Sequence, residues 1–357
     1  MNKVALLTFH NTTNFGALLQ TFGLYKKLND LGYDCRVLNY QCANIIKREV
    51  PEPFRFTFNP KSLVSELLVK SKMRRRYEAM HQFMTKNLNK MTKPYNRNTV
   101  FKIEEDFDSF VVGSDMLWGL DITDSDFSYF LDFVPDEKRK FSYATSIGKR
   151  EWTNEEMDRI SNLLARFYRV SAREEVTAER LKPVLNQPCH VVCDPTMLIP
   201  VEEWQPYVGK RLFKKDYILA YFNTDDGRCL SDAMKYAEKN KKELLFISQM
   251  PSFMSKTHNV CPAKVEDFLS LIYYADMVFT ASYHGMLFSL YFHKKFLYYN
   301  RQPAYRMQTV ADRLNVGCLE GRGVDLNNIP LVDYKDIDKR MAAYREESIA
   351  FINDALK

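Results

Sequence analysis

Long apolar runs are missing from this sequence, and so is any glycine-rich fingerprint. No stretch approaches the ~20 apolar residues that a membrane-crossing helix needs. The apolar opening Val4–Leu7 turns polar too soon for a leader peptide. The loop after it carries one glycine, Gly16, rather than the G-x-G-x-x-G set of a dinucleotide-binding turn. Internal repeats and low-complexity segments are also lacking. The seven cysteines are an odd, scattered set that makes no disulfide framework. Cys189 and Cys193 stand at a spacing unlike a zinc knuckle, and no second pair follows. The expectation is a soluble, cytoplasmic protein with reduced thiols, no metal and no bound cofactor.

What is there is enough chain for two cores. The 357 residues are 46% hydrophobic and 27% charged, ordinary for a globular protein. The 21 tyrosines and 25 phenylalanines suit well-filled cores first and a sugar-contacting cleft second. The net charge of +6 is uneven, because Lys70, Lys72, Arg74, Arg75, Arg76, Lys86, Lys90 and Lys93 fall in one segment. A basic patch attracts phosphates, nucleic acids or an anionic lipid surface alike. A solvated helix face is the plainer explanation, and no nucleic-acid partner is expected.

The hydrophobic pattern alternates short apolar runs with helical periodicity. Lys3–Phe9 reads as a strand, Gly16–Gly32 as a helix and Cys35–Tyr40 as the next strand, a βαβ unit with parallel pairing. Residues 41–100 read as an insertion with Pro51, Pro53 and a basic helical region from about Leu63 to Leu88, and no chemistry beyond charge. Strands follow at Phe107–Val112, Phe141–Thr145, Tyr168–Ala172 and Val191–Cys193, with a capping-box helix start at Thr153-Asn154-Glu155-Glu156. After a connector, Tyr217–Phe222, Glu243–Ser248, Met277–Ala281 and Phe296–Tyr299 form a second set of strands, separated by helices. The domains are therefore placed at 1–197 and 198–357, with the last helix, about Ile337–Leu356, packing back on the first. Two Rossmann-like α/β domains facing a cleft describe a glycosyltransferase-B-like architecture, which supports many chemistries.

Candidate site residues lie at strand ends, where ligands of open α/β sheets collect and helix N-termini present unpaired N–H groups. Ser282-Tyr283-His284-Gly285 is a tight turn between a buried strand and a helix, so His284 stands where a phosphate or carboxylate would bind. His10, His81, His190, His258 and His293 read as structural or surface residues. Gly113-Ser114-Asp115 brings a hydroxyl and a carboxylate to a strand end, against the plain alternative of an Asx turn. Arg173 sits at a strand end ahead of a helix and can fork a phosphate or carboxylate, or pair with Glu174 or Glu175. Asn14, Gly16 and Gln20 offer polar contacts at the first strand end.

These blocks together resemble the polysaccharide pyruvyl transferases along nearly the whole chain. They are N-F-G-A-L-L-Q (Asn14–Gln20), V-G-S-D-x-x-W (Val112–Trp118), Y-A-T-S-I-G (Tyr143–Gly148), S-A-R-E (Ser171–Glu174), D-P-T (Asp194–Thr196) and S-Y-H-G-x-x-F-S (Ser282–Ser289). The resemblance implies transfer of a pyruvyl group from phosphoenolpyruvate to two hydroxyls of a sugar, giving a cyclic ketal and phosphate in cell-surface polysaccharide synthesis. It implies a saccharide acceptor, commonly lipid-linked or nucleotide-linked, with peripheral membrane contact through the basic run. His284 then becomes the general acid, a role suited to an imidazole near neutral pH. Arg173 becomes a donor-binding cation, with Ser282 and Gly285 beside it. Arg301 and Arg306 match the family's basic donor-binding position loosely. Asn14, Gly16, Gln20 and Ser114 would orient the acceptor, with Asp115 assisting deprotonation. Two other readings are a nucleotide-sugar-dependent glycosyltransferase of the same architecture and a non-catalytic binding protein on this fold.

Overall fold

The computed structural model describes residues 2–54, 58–59, 63, 66–222, 227–248, 258–300 and 306–357. The chain divides into two compact units. Unit 1 holds Met1–Val50, Met84–Ile199 and Ala342–Lys357, and unit 2 holds Pro51–Phe83 and Pro200–Met341. Each is an α/β layer structure around its own parallel sheet.

Unit 1 opens with β1 (Lys3–Leu7), α1 (Phe15–Asp30), β2 (Asp34–Val37) and α2 (Ala43–Glu49). The basic helix α3 (Ser71–Asn87) comes next and is crossed by the division between the units. β3 (Ser109–Val112), β4 (Arg139–Ser142), α4 (Asn154–Leu164), β5 (Val170–Ala172), α5 (Glu175–Leu181) and β6 (Cys189–Val191) complete the unit. Its main sheet runs β2-β1-β3-β4, all parallel, and β5 pairs with β6. Single bridges Phe141↔Arg169 and Thr145↔Ala172 carry the pairing from the β4 segment to the β5 segment. Val4–Leu7 and Val111–Val112 are buried on both faces, as central parallel strands covered by helices must be.

Unit 2 contains β7 (Tyr217–Tyr221), α6 (Arg228–Lys239), β8 (Glu243–Ile247) and β9 (His258–Val260). It continues with α7 (Val265–Tyr273), β10 (Met277–Thr280), α8 (Tyr283–Tyr291), β11 (Phe296–Tyr298) and α9 (Arg306–Arg313). The last helix, α10 (Tyr334–Leu356), is also crossed by the division, so its residues from Ala342 onward count with unit 1. The sheet order is β11-β10-β7-β8-β9, again all parallel.

Two features depart from the sequence reading. Residues 51–83 of the expected first-domain insertion belong to unit 2. The same stretch 41–100 also supplies α2 to unit 1, where Cys42 and Asn44 bond to the carbonyls of Thr123 and Ile122. β9 was not expected, because its three polar-leaning residues His-Asn-Val show no apolar run.

The order of each sheet reverses direction once. In unit 1 the chain steps outward to β2, then returns to β3 on the other side of β1. In unit 2 it builds β8 and β9 on one side of β7, then β10 on the other. Such topological switch points leave a crevice at the carboxyl ends of the strands. They lie between β1 and β3, and between β7 and β10.

Helix α1 sits close on the D-P-T turn because Gly23 has no side chain. A Cβ there would stand 2.4 Å from the carbonyl oxygen of Pro195. Gly23→Ala is therefore expected to destabilise the protein by ~1–3 kcal/mol through overpacking, although alanine is the better helix former. Gly317, whose added Cβ meets nothing within 4 Å, is the control, with a change within ~0.5 kcal/mol. Urea unfolding midpoints of the two variants read the difference.

Candidate functional site

The sequence blocks of unit 1 converge behind its switch point on one guanidinium. Arg173, 2% exposed, follows β5 directly. Its Nε donates to Glu174 Oε1 at 2.8 Å, and its Nη1 donates to Asp194 Oδ2 at 3.1 Å. Nη2 stands 3.7 Å from Asp115 Oδ1, and Nη1 lies 3.4 Å from Gln20 Oε1. Neighbouring hydroxyls complete the carboxylates: Ser146 and Thr177 donate to Glu174 Oε2, and Thr196 donates to Asp194 Oδ1. Three carboxylates thus surround the one guanidinium. The position fits an organiser of the strand ends, where the sequence reading expected a donor-binding cation. Ser114 is likewise turned inward, its hydroxyl donating to Ala144 O at 2.7 Å. Trp118 belongs to the core, with Nε1 donating to Tyr129 O at 2.8 Å and its ring stacked on Phe130.

Asp115 is the member of this cluster that reaches an opening. Its backbone has φ 83°, in the left-handed region, and its side chain is 17% exposed. It lines a cavity of about 70 Å³ at the β1/β3 switch point, together with Phe9, Thr12, Asn14, Arg48 and Glu49. Asn14 caps α1, its Oδ1 accepting from Gly16 N at 2.9 Å. Gly16 and Gln20 are buried in that helix, and the Gln20 amide nitrogen has no hydrogen-bond partner among the described residues. Glu49, at the end of α2, is held in place by the loop after β1. Its Oε2 accepts from Thr13 N at 3.0 Å, Thr13 Oγ1 at 2.9 Å and Thr12 Oγ1 at 3.2 Å. Glu49 and Arg48 went unnoticed in the sequence because they lie in the segment read as an insertion. The four residues Thr12, Asn14, Glu49 and Asp115 present acceptors and donors of the kind that orient sugar hydroxyls.

The second switch point carries the histidine. His284 is the second residue of α8 and 8% exposed, its ring edge-on to Tyr283 at 5.5 Å. Ser282 is the N-cap, accepting weakly from Gly285 N at 3.4 Å. Thr280 Oγ1 ties the two strand ends together, accepting from Ser282 N at 3.0 Å and donating to Tyr221 O at 2.7 Å. A Cβ on Gly285 would lie 2.2 Å from Thr280 Oγ1 and 2.8 Å from Tyr221 Cδ1. The glycine thus lets α8 press onto β7 and β10, and the space beside it belongs to protein rather than to a donor. Burial pushes the Tyr221 phenol up, and a hydrogen bond from Ser282 and the positive charge of Arg76 oppose that shift.

Of the loosely matched arginines, Arg306 begins α9 and is half-buried, while Arg301 lies outside the described residues. The basic run is less of a solvated face than its composition suggests. Arg74 pairs with Glu66 at 2.9 Å, Lys70 with the same carboxylate, and Lys90 with Asp34. Arg76 is 5% exposed, its Nε donating to Pro262 O at 2.9 Å. Lys72, Arg75 and Lys86 remain exposed. Among the other histidines, His10 meets Asn39, His190 packs on Phe351 and His293 pairs with Asp338. No helix of the described residues is long and apolar enough to cross a membrane.

Removing the Arg173 side chain takes the cation away from three carboxylates. Arg173→Ala is expected to lower stability by ~3–5 kcal/mol, the range for breaking a buried ion pair, visible as a large fall in the thermal unfolding midpoint. A midpoint within a degree or two of wild type would show that the cluster does not hold the strand ends.

Comparison with solved structures places the architecture. An alpha-glucosyltransferase in complex with UDP aligns with a TM-score of 0.52 at 8% identity, over 98% of this chain and 91% of that one. The same type of enzyme bound to UDP and a 13-mer DNA gives 0.50 at 8% identity, over 97% and 90%. UDP-GlcNAc 2-epimerase from Methanocaldococcus jannaschii gives 0.49 at 12% identity, over 97% and 92%. At these identities the likeness concerns the fold, which is glycosyltransferase-B-like. A search of curated protein sequences finds no match. The family model for polysaccharide pyruvyl transferase matches residues 14–303, which include every one of the sequence blocks above, and the chain belongs to that family.

Proposed function

We propose that the protein transfers a pyruvyl group from phosphoenolpyruvate to two hydroxyls of a saccharide. The family match carries this reading. His284 at the first turn of α8 supports it, because an imidazole there can be both a proton source and a neighbour of an anion at a helix N-terminus.

The donor is assigned to the β7/β10 switch point and the acceptor to the β1/β3 switch point. His284 protonates the methylene carbon of the enol, leaving an oxocarbenium-like centre at C2. A sugar hydroxyl adds to C2 and gives up its proton, for which Asp115 is the acceptor. Loss of phosphate regenerates a cationic C2, and the second hydroxyl closes the ketal as its proton passes to the departing phosphate. One phosphoenolpyruvate and one diol thus yield one ketal and one inorganic phosphate. Asn14 and Glu49 orient the acceptor in this scheme, and Ser282 helps to hold the donor. Arg173 acts through Asp115, fixing the position of its carboxylate.

The acceptor is a sugar, free or carried on a lipid or nucleotide. Contact with an anionic membrane surface would draw on Lys72, Arg75 and Lys86, since other cations of that run are already paired or buried. A nucleotide-sugar-dependent transferase is the competing reading, on the strength of the fold likeness to an enzyme solved with UDP. Product analysis separates them: phosphate released from phosphoenolpyruvate only when a sugar acceptor is present supports pyruvyl transfer, and nucleotide released from a nucleotide sugar supports the other.

His284→Ala is expected to lower kcat by about 10²–10⁴-fold, the usual contribution of a general acid, with its unfolding midpoint little changed. Asp115→Asn should lower kcat with a smaller effect on the KM for phosphoenolpyruvate. Wild-type turnover by His284→Ala would remove the imidazole from the mechanism.

A further inference from the structure

A phosphate-bearing donor at the β7/β10 switch point calls for a fixed cation within unit 2. Arg173 lies in unit 1 among carboxylates, and of the two loosely matched arginines Arg306, at the start of α9, is the one that falls among the described residues. Among the described residues, a buried cation also comes from the basic helix α3, whose residues up to Phe83 belong to unit 2.

Arg76 is the member of that helix that turns inward. At 5% exposure it is the one buried residue of the Arg74-Arg75-Arg76 run. Its Nε donates to Pro262 O at 2.9 Å, and its Nη2 lies 3.6 Å from Cys261 Sγ. Cys261 and Pro262 directly follow β9, so the guanidinium is anchored over the carboxyl edge of the parallel sheet. Tyr221, Ser282 and His284 occupy that same edge. Its charge is also felt by Tyr221, the last residue of β7. Tyr221 in turn is bound through its carbonyl to Thr280 and packs against Gly285 in the first turn of α8.

A surface arginine keeps its head group in water, and its charge is screened. One held under the protein surface against a backbone carbonyl keeps a fixed position, and its field is stronger in the drier surroundings. We propose that Arg76 is a donor-binding residue that holds the phosphate group at the β7/β10 switch point, making the basic helix α3 part of the donor site. The inference rests on the assignment of an anionic donor to unit 2 and names the cation that receives it. The alternative is a purely mechanical role, in which Arg76 only fastens α3 to the loop after β9.

Isothermal titration of the full-length protein with inorganic phosphate, and separately with phosphoenolpyruvate, distinguishes these roles. Wild type, Arg76→Lys and Arg76→Gln are compared, each with its thermal unfolding midpoint. Arg76→Gln, which keeps a donor for Pro262 O but loses the charge, is expected to bind both anions at least about tenfold more weakly, as fits a lost charge-assisted contact. Arg76→Lys should fall between the two, and the loss should persist below the unfolding range of each variant. Unchanged affinity of Arg76→Gln for both anions would overturn the proposal, as would a wild-type protein that binds no phosphate. Failure of the pyruvyl-transfer reading looks different: wild type binds phosphate through Arg76 yet forms no ketal from phosphoenolpyruvate with any sugar acceptor tried.

Discussion

Unit 1 depends on the Arg173 guanidinium. Glu174 continues from β5, Asp194 follows β6, Asp115 follows β3 and Gln20 belongs to α1. One side chain thus draws together the ends of three strands and a helix. Burying a charge is expensive unless its partners are close and well aligned, and here the partners are themselves satisfied by Ser146, Thr177 and Thr196. The family's short blocks make physical sense as members of this one network. Only Asp115 reaches from it into the cavity at the β1/β3 switch point, so the network's effect on chemistry passes through the position of that carboxylate.

Unit 2 solves a different problem. Its switch point is built by close approach rather than by charge, with α8 seated on the strand ends because Gly285 leaves room for Thr280 and Tyr221. The packing brings His284 to the first turn of a helix, where the unpaired N–H groups and the helix dipole favour an anion. The compensating side-chain cation comes from about two hundred residues away in sequence, on a helix whose basic composition suggested a solvated surface. Two of its neighbouring charges, Lys70 and Arg74, are spent on Glu66. The net charge of a segment therefore says little about which of its cations faces a ligand.

Much of the fold was legible locally. The alternation of apolar runs and helical periodicity marks most strands within a few residues, since parallel strands buried on both faces need continuous apolar stretches. The capping box at Thr153 and Glu156 forms as its pattern requires, and Asn14 caps α1. β9 escaped because an edge strand of three residues has too little apolar surface to give a period. α2 and its Glu49 escaped because two prolines and a Phe-rich stretch nearby made residues 41–100 look like one insertion. Gly285 was singled out for ligand approach, and its missing side chain also leaves room for helix-on-strand packing.

The sequence by itself determined the family, the two parallel α/β units and the strand-end address of His284, Arg173 and Asp115, because each is written in short-range patterns of apolar residues, glycines and caps. Tertiary structure alone decided what those addresses contain. Whether an arginine meets carboxylates, as Arg173 does, or a backbone carbonyl and a cysteine sulfur, as Arg76 does, depends on which distant segments arrive beside it. The charge felt at a site sums over neighbours that are close in space, and chain order does not record them.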